Sequence, residues 1–127
     1  NQFNMTTIRR TIDELSELNN DLDIHIRPYK LVDRFTDHGI ISLVIIKKVD
    51  ALCIIDTFIM SCRVLGRNVE NIVISDIISF AKSLNCEKIE AKWLKTLKNQ
   101  RFSNFYEESG FTLMSKSDIG KNLTLLL

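Results

Sequence analysis

The sequence predicts a mixed α/β domain: an antiparallel three-strand meander joined through a helical crossover to a parallel strand, with helices flanking the sheet. Three observations carry this. Residues 22–32, 40–47 and 52–60 are β-rich runs linked by short connections, which pairs them antiparallel. At Gly66 the hydrophobic period changes from two to 3.6, placing Val69, Val73, Ile77, Phe80, Ala81 and Leu84 on one helix face, widened by Ile74 and Ile78. Residues 86–93 then form a strand reached by that crossover, so it runs parallel to residues 52–60.

The remaining elements follow in order. Residues 2–5 read as a short edge strand. Thr6 and Thr7 offer N-cap hydroxyls to a helix carrying Ile8, Ile12, Leu15 and Leu18, and Asn19, Asn20 and Asp21 end it. Pro28 puts the first meander strand at an edge or a bulge. Residues 33–39 are polar and read as a loop. A second helix fits residues 100–109 and stops at Gly110, followed by strands at 111–114 and 123–127. The order is β-α-β-β-β-α-β-α-β-β.

The chain has 127 residues, 45% of them apolar and 26% charged, with a formal net charge of +1. That suits one globular domain and gives no broad nucleic-acid or membrane footprint. The longest apolar run, residues 40–46, is too short to span a bilayer. Cys53, Cys62 and Cys86 are an odd, widely spaced set, which argues for free thiols and a reducing, cytoplasmic compartment. No metal-ligand spacing is present, so no metal site is expected. A first residue of Asn1 rather than Met fits a fragment of a longer protein.

The topology sets the chemistry at one sheet end. The loop at 33–39 shares that end with residues 61–68, and the parallel strand brings Lys95, Thr96 and Asn99 there. Arg63, Val64, Leu65, Gly66, Arg67 and Asn68 open the long helix. A glycine turn at a helix N-terminus exposes backbone N–H groups that suit a pyrophosphate, and the arginines add charge. A plain strand-to-helix turn with solvated arginines is the competing reading.

Tyr106 can donate a proton to a leaving thiolate, or it can be core packing like Phe105 and Phe111. Cys62 beside Arg63 is either an activated thiol or an inert one. His38 next to Asp37 is either a held general base or a solvated loop residue. Asp56, among apolar neighbours, reads as either a structural hydrogen-bond hub or an active-site group, and the structural role fits better.

Several segments together resemble a known family. NQFNMTT at 1–7, LVDRFTDHG at 31–39, IDTFIMSCRVLGRNVE at 55–70, Lys98 with Asn99, and FYEESGF at 105–111 are similar to the C-terminal region of FkbH-like proteins of HAD-superfamily subfamily IIIC. That region is similar to GCN5-related N-acetyltransferases (GNAT).

The resemblance implies a GNAT-like acyl-CoA acyltransferase fold over residues 1–127, a single domain downstream of a HAD-type domain. It implies coenzyme A or a 4'-phosphopantetheine thioester as cofactor, held between the splayed strands 52–60 and 86–93, and an acyl carrier protein as partner. The transferred group would be an acyl unit, with glyceryl as the family's example. The phosphate motif maps onto Arg63, Gly66 and Asn68, and the later motif onto Asn99 and Tyr106. Asn68 departs from the Gly or Ala of that motif. Backbone N–H groups near Ile59 and Ser61 would polarise the thioester carbonyl, with His38 or a water held by Asp37 as base. A reactive Cys62 would open a ping-pong route. The alternative is a non-catalytic pantetheine or carrier-protein docking module that serves the adjacent HAD-type domain.

Overall fold

The computed structural model describes residues 3–6, 13, 14, 17 and 23–127. Its strands are β1 (Phe3–Asn4), β2 (Ile24–Val32), β3 (Asp37–Val49), β4 (Leu52–Met60), β5 (Lys88–Leu94), β6 (Thr112–Ser117) and β7 (Gly120–Leu126). They form one sheet in the order β2-β3-β4-β5-β7-β6, with β1 paired to β4 off that path. Helix α1 spans Val69–Ser83 and helix α2 spans Phe105–Glu108.

The meander forms as its pattern predicts. β2, β3 and β4 pair antiparallel, and Asp50, at φ 52°, makes the tight turn between β3 and β4. Pro28 lies in β2, the strand at the sheet's edge, where its missing N–H disturbs nothing. β3 is longer than its apolar run because Asp37, His38 and Gly39 extend the ladder against Val32 and Leu31. The loop therefore shrinks to residues 33–36.

β5 is parallel to β4, but they pair at only three positions: Leu52 with Lys88, Cys53 with Ile89 and Ile54 with Glu90. Beyond Ile54 the two strands part. The other side of β5 pairs antiparallel with β7 along its whole length.

α1 buries Val73, Ile74, Ile77 and Ala81, the stripe its periodicity marks. The same core contains Val44, Ile46, Cys53, Ile55, Phe58, Ile89 and Leu123. β2 is tied to α1 through Arg27 Nη2, which donates to Asp76 Oδ2 at 2.8 Å, and through the Tyr29 hydroxyl, which donates to the same oxygen at 2.6 Å.

Three expectations change. The strand at the N-terminal end is not an edge strand: Phe3 pairs with Met60 and Asn4 with Ile59, and both are buried in the sheet's interior. The helix expected at 100–109 breaks into a 3₁₀ turn (Gln100–Phe102) and the four-residue α2. The cause is local: Asn104 takes φ −105°, ψ 10°, outside helical geometry, so one continuous ladder cannot form. The strands at 111–114 and 123–127 become the longer hairpin β6–β7. The helix carrying Ile8, Ile12, Leu15 and Leu18, and the turn at Asn19 to Asp21, lie outside the described residues, although Asp13, Glu14 and Glu17 are helical. The Thr6 hydroxyl donates to the Asp56 carbonyl at 2.9 Å, and the N–H groups it would cap lie outside the described residues.

Candidate functional site: the opening between the parallel strands

The end of β4 runs into a 3₁₀ turn, Cys62–Val64, that leads to α1. Ser61 opens the turn, its hydroxyl accepting from the N–H of Arg63. Gly66 at φ 79° and Asn68 at φ 64° are both left-handed. A Cβ on Gly66 would meet no atom within 4 Å, so the glycine is needed for its backbone angle and not for space. Asn68 is the non-glycine residue best able to replace the Gly or Ala of the motif at such an angle. Its side chain accepts from Asn71 Nδ2 at 2.5 Å and does not cap the helix.

The N-terminus of α1 therefore has no side-chain cap. The N–H groups of Val69, Glu70 and Asn71 precede the first helical bond, from Ile72 N–H to the Asn68 carbonyl. Fifteen residues of aligned peptide dipole stand behind them. Gly66, Arg67 and Asn68 are exposed at this turn. Arg63 is exposed too, with Nε donating to Ser61 Oγ at 3.1 Å and Nη2 to the His38 carbonyl at 3.2 Å. Arg67 Nη2 lies 3.9 Å from Asp33 Oδ2. Two carboxylates oppose an anion here: Asp33, beside Arg67, and Glu70 in the first turn, which has a buried oxygen without a partner among the described residues.

The loop at 33–36 does face this turn, as the meander topology requires. Asp33 is its organiser. Oδ2 pairs with His38 Nε2 at 3.0 Å, while Oδ1 accepts the N–H groups of Phe35 and Thr36 at 2.8 Å each. The His38 bond first, then those two N–H groups, hold the Asp33 carboxyl down at about 2. Asp33, not Asp37, orients His38; Asp37 instead pairs with Lys30 at 3.1 Å. The spacing D-x-x-T at Asp33 to Thr36 is a sequence signature of such an Asx turn.

Other named residues are differently placed. Asn99 is fully buried, and its side chain is committed to protein partners. Nδ2 donates to the carbonyls of Asn4 at 3.0 Å and Leu94 at 2.7 Å, and Oδ1 accepts from Thr96 N–H at 2.8 Å. Its geometry holds the chain together rather than presenting a group to a ligand. Tyr106 is 1% exposed and its hydroxyl has no hydrogen-bond partner among the described residues. Burial pushes its ionisation far above the ordinary phenol range, so the hydroxyl is a sealed, neutral phenol.

The backbone near Ile59 is engaged as well. Ser61 N–H donates to the Ile41 carbonyl at 2.7 Å, the Ile59 carbonyl accepts from Ser42 Oγ at 2.7 Å, and Ile59 pairs with Leu43 on one side and Asn4 on the other. A carbonyl-polarising role for the Ile59 and Ser61 N–H groups finds no free donor at Ser61. Cys62 is free and exposed. Cys53 and Cys86 are free and buried, and burial pushes the Cys53 thiol up to about 12. Asp56 Oδ2 accepts from Thr57 Oγ1 at 2.8 Å, consistent with a structural hub.

The principal feature that sequence reasoning missed is what lies between β4 and β5. Met5 N–H donates to the Phe58 carbonyl at 3.2 Å, and the Met5 carbonyl accepts from Leu94 N–H at 2.7 Å. Residues 3–6 thus bridge the two parted strands. The alternation of Phe3 and Met5 with Asn4 and Thr6 marks a half-buried strand, so the pattern gives no sign of burial on both faces.

No known family's sequence profile matches the chain, and no curated protein matches it in sequence. Solved structures match it in fold. A domain from Methanocaldococcus jannaschii DSM 2661 superposes with a TM-score of 0.74 at 16% identity, covering 97% of this chain and 82% of that one. The GNAT domain of S. lividans PAT gives 0.71 at 14% identity, covering 94% and 70%. The PaiA N-acetyltransferase of Thermoplasma acidophilum, solved in complex with coenzyme A, gives 0.70 at 12% identity, covering 91% and 69%. The chain, with its seven-stranded mixed sheet and one parallel pair, has the GNAT fold.

Proposed function

We propose that this chain is an acyltransferase-type domain that holds a coenzyme A or carrier-bound 4'-phosphopantetheine thioester and moves its acyl group to a nucleophile. The observation that carries the reading is the uncapped N-terminus of α1 behind the left-handed turn at Gly66 and Asn68. A helix start of this kind attracts phosphate through its orphan N–H groups and its dipole. Arg63 and Arg67 flank it with charge-assisted donors. The bound group would supply an activated acyl thioester.

The chain's own residues would do the rest. Residues 66–69 would hold the phosphates, and the strand end at Ile59 and Ser61 would orient the arm. Val64, which is buried, and Leu65 set the turn's position against the core. His38, held by Asp33 at this end of the sheet, is the group best placed to take a proton from an acceptor. Cys62 is the exposed nucleophile in the same turn. The resemblance to FkbH-like proteins supports an acyl carrier protein as donor, an upstream HAD-type domain as neighbour, glyceryl as a candidate unit and a cytoplasmic setting.

A second reading is favoured by a specific observation. Tyr106 is sealed in the core, which leaves no accessible phenol to protonate a leaving thiolate. That feature suits a docking module in which the chemistry belongs to the adjacent HAD-type domain. Calorimetry with coenzyme A, acetyl-CoA and a holo-carrier protein, together with intact-mass detection of acyl transfer to the chain or to added amines, separates the two. Binding with turnover supports the enzyme; binding without turnover supports the docking module. Failure to bind all three removes both. Cys62→Ser tests the thiol: an acyl adduct that disappears in this variant assigns it.

A further inference from the structure

Residues 3–6 occupy the space where β4 and β5 part. On one side Phe3 pairs with Met60, Asn4 with Ile59, and Met5 N–H reaches the Phe58 carbonyl at 3.2 Å. On the other, Leu94 N–H donates to the Met5 carbonyl at 2.7 Å. Two side chains clamp the ends. Asn99 Nδ2 donates to the Asn4 carbonyl at 3.0 Å, and Thr6 Oγ1 donates to the Asp56 carbonyl at 2.9 Å. Phe3 and Met5 are 0% exposed, and the Phe3 ring sits 4.9 Å from Phe58, 5.0 Å from Phe102 and 5.1 Å from Phe105.

We propose that residues 3–6 are an internal strand that competes with the thioester's arm for the gap, so that the acyl site opens only when this segment withdraws. The inference rests on the reading above, in which the arm lies between β4 and β5. A pantetheine arm is an extended chain with two amides, and it bonds to strand edges as a peptide does. The edges it needs are those already paired with Phe3, Asn4 and Met5. Two occupants cannot share them.

The chemistry of the segment sets the strength of the block. Burial of Phe3 and Met5 favours the closed form by about a hundred- to ten-thousandfold. A ligand that binds only the open form has its apparent affinity lowered by the same factor. A phosphate at the turn before α1 touches none of these residues and is unaffected. The nucleotide half of coenzyme A therefore binds whether the strand is in place or withdrawn, and the arm adds affinity only after withdrawal.

The test compares coenzyme A with adenosine 3',5'-bisphosphate, which has phosphates but no arm, by calorimetry on the full chain. Wild type, Thr6→Val and Met5→Ala are titrated, and amide exchange is followed at Met5 and Leu94. The expected result is equal bisphosphate affinity in all three chains. Coenzyme A binds wild type only slightly better than the bisphosphate does. The arm-dependent part of its affinity, the ratio to the bisphosphate less one, gains about fivefold in Thr6→Val, the value of one hydrogen bond, and about thirtyfold or more in Met5→Ala. Coenzyme A also speeds exchange at Leu94 in Met5→Ala. Should Met5→Ala fail to fold, Thr6→Val decides, because it changes only a hydroxyl to a methyl. Coenzyme A affinity that is unchanged across the variants, with Leu94 still protected, overturns the competing strand and leaves the thioester reading standing. No binding of either ligand to any of the chains overturns both.

Discussion

Tyr29 on β2 donates its hydroxyl to Asp76 on α1 at 2.6 Å, and Arg27 donates to the same carboxylate oxygen at 2.8 Å. One carboxylate thus joins the edge strand to the long helix. Arg27 first, then Tyr29, hold the Asp76 carboxyl below the usual carboxylate range. Partial burial and the neighbouring carboxylate push the Tyr29 phenol up to about 12.

Tyr29→Phe removes one of those bonds and is expected to cost about 1 kcal/mol in urea unfolding. The pH dependence has a definite sign. Tyr29 ionises higher in the fold than the ordinary value of 10.0, so its contribution is full below pH 10 and fades as pH rises through about 12. A phenolate absorbance titration in the native chain checks this. Titration of Tyr29 at its ordinary value would show the bond to Asp76 to be absent.

Asp33 gives the opposite sign. Its folded value of about 2 lies below the ordinary 3.8, so the support it lends the loop is present above pH 4 and lost as pH falls through 2. Protection of the Phe35 and Thr36 amides, taken relative to the intrinsic exchange rate at each pH, should fall over that window and no higher. Asp33→Asn should retain part of the turn but release His38, read as a shifted imidazole resonance.

Tyr106→Phe deletes a buried hydroxyl that has no partner among the described residues. Burying such a group is unfavourable, so the variant should be as stable as the parent or more stable by about 1 kcal/mol. Denaturant midpoints measure this. If the variant also keeps its turnover, Tyr106 has no part in protonating a leaving thiolate; a marked loss would mean that the hydroxyl becomes accessible during the reaction.

Glu70 carries a negative charge into the first turn of α1, where the proposed phosphates sit. Glu70→Gln should tighten binding of adenosine 3',5'-bisphosphate about fivefold at low salt, and the gain should shrink as salt is added. Unchanged affinity would place the phosphates elsewhere.

Much of this architecture is legible in the residues because the strong signals are local. The stripe from Val73 to Ala81 determines α1, and the three β-branched runs determine the meander. Gly66 and Asn68 both proved left-handed, as their residue types allow. What the sequence conceals is pairing across distance. Nothing near Asn99 shows that its amide will reach Asn4, and nothing near Asp33 ranks His38 above its neighbours as a partner. Tyr106 offers a hydroxyl that could protonate a leaving thiolate, yet its place in the core depends on Phe105 and Phe111, whose rings lie 5.5 and 5.1 Å away at steep angles. The break at Asn104 lies in the backbone angles of that one residue, which the hydrophobic pattern around it does not mark.

The clamp between Asn99 and Asn4 spans 95 positions of chain. Closing so long a loop is entropically costly and has to follow the formation of both flanking strands. The central strand of the open end is therefore a late arrival in folding, joining a scaffold that has already taken shape. Late-forming contacts act mainly on the rate of unfolding. Substitutions at residues 3–6 should shorten the lifetime of the closed sheet far more than they slow its assembly.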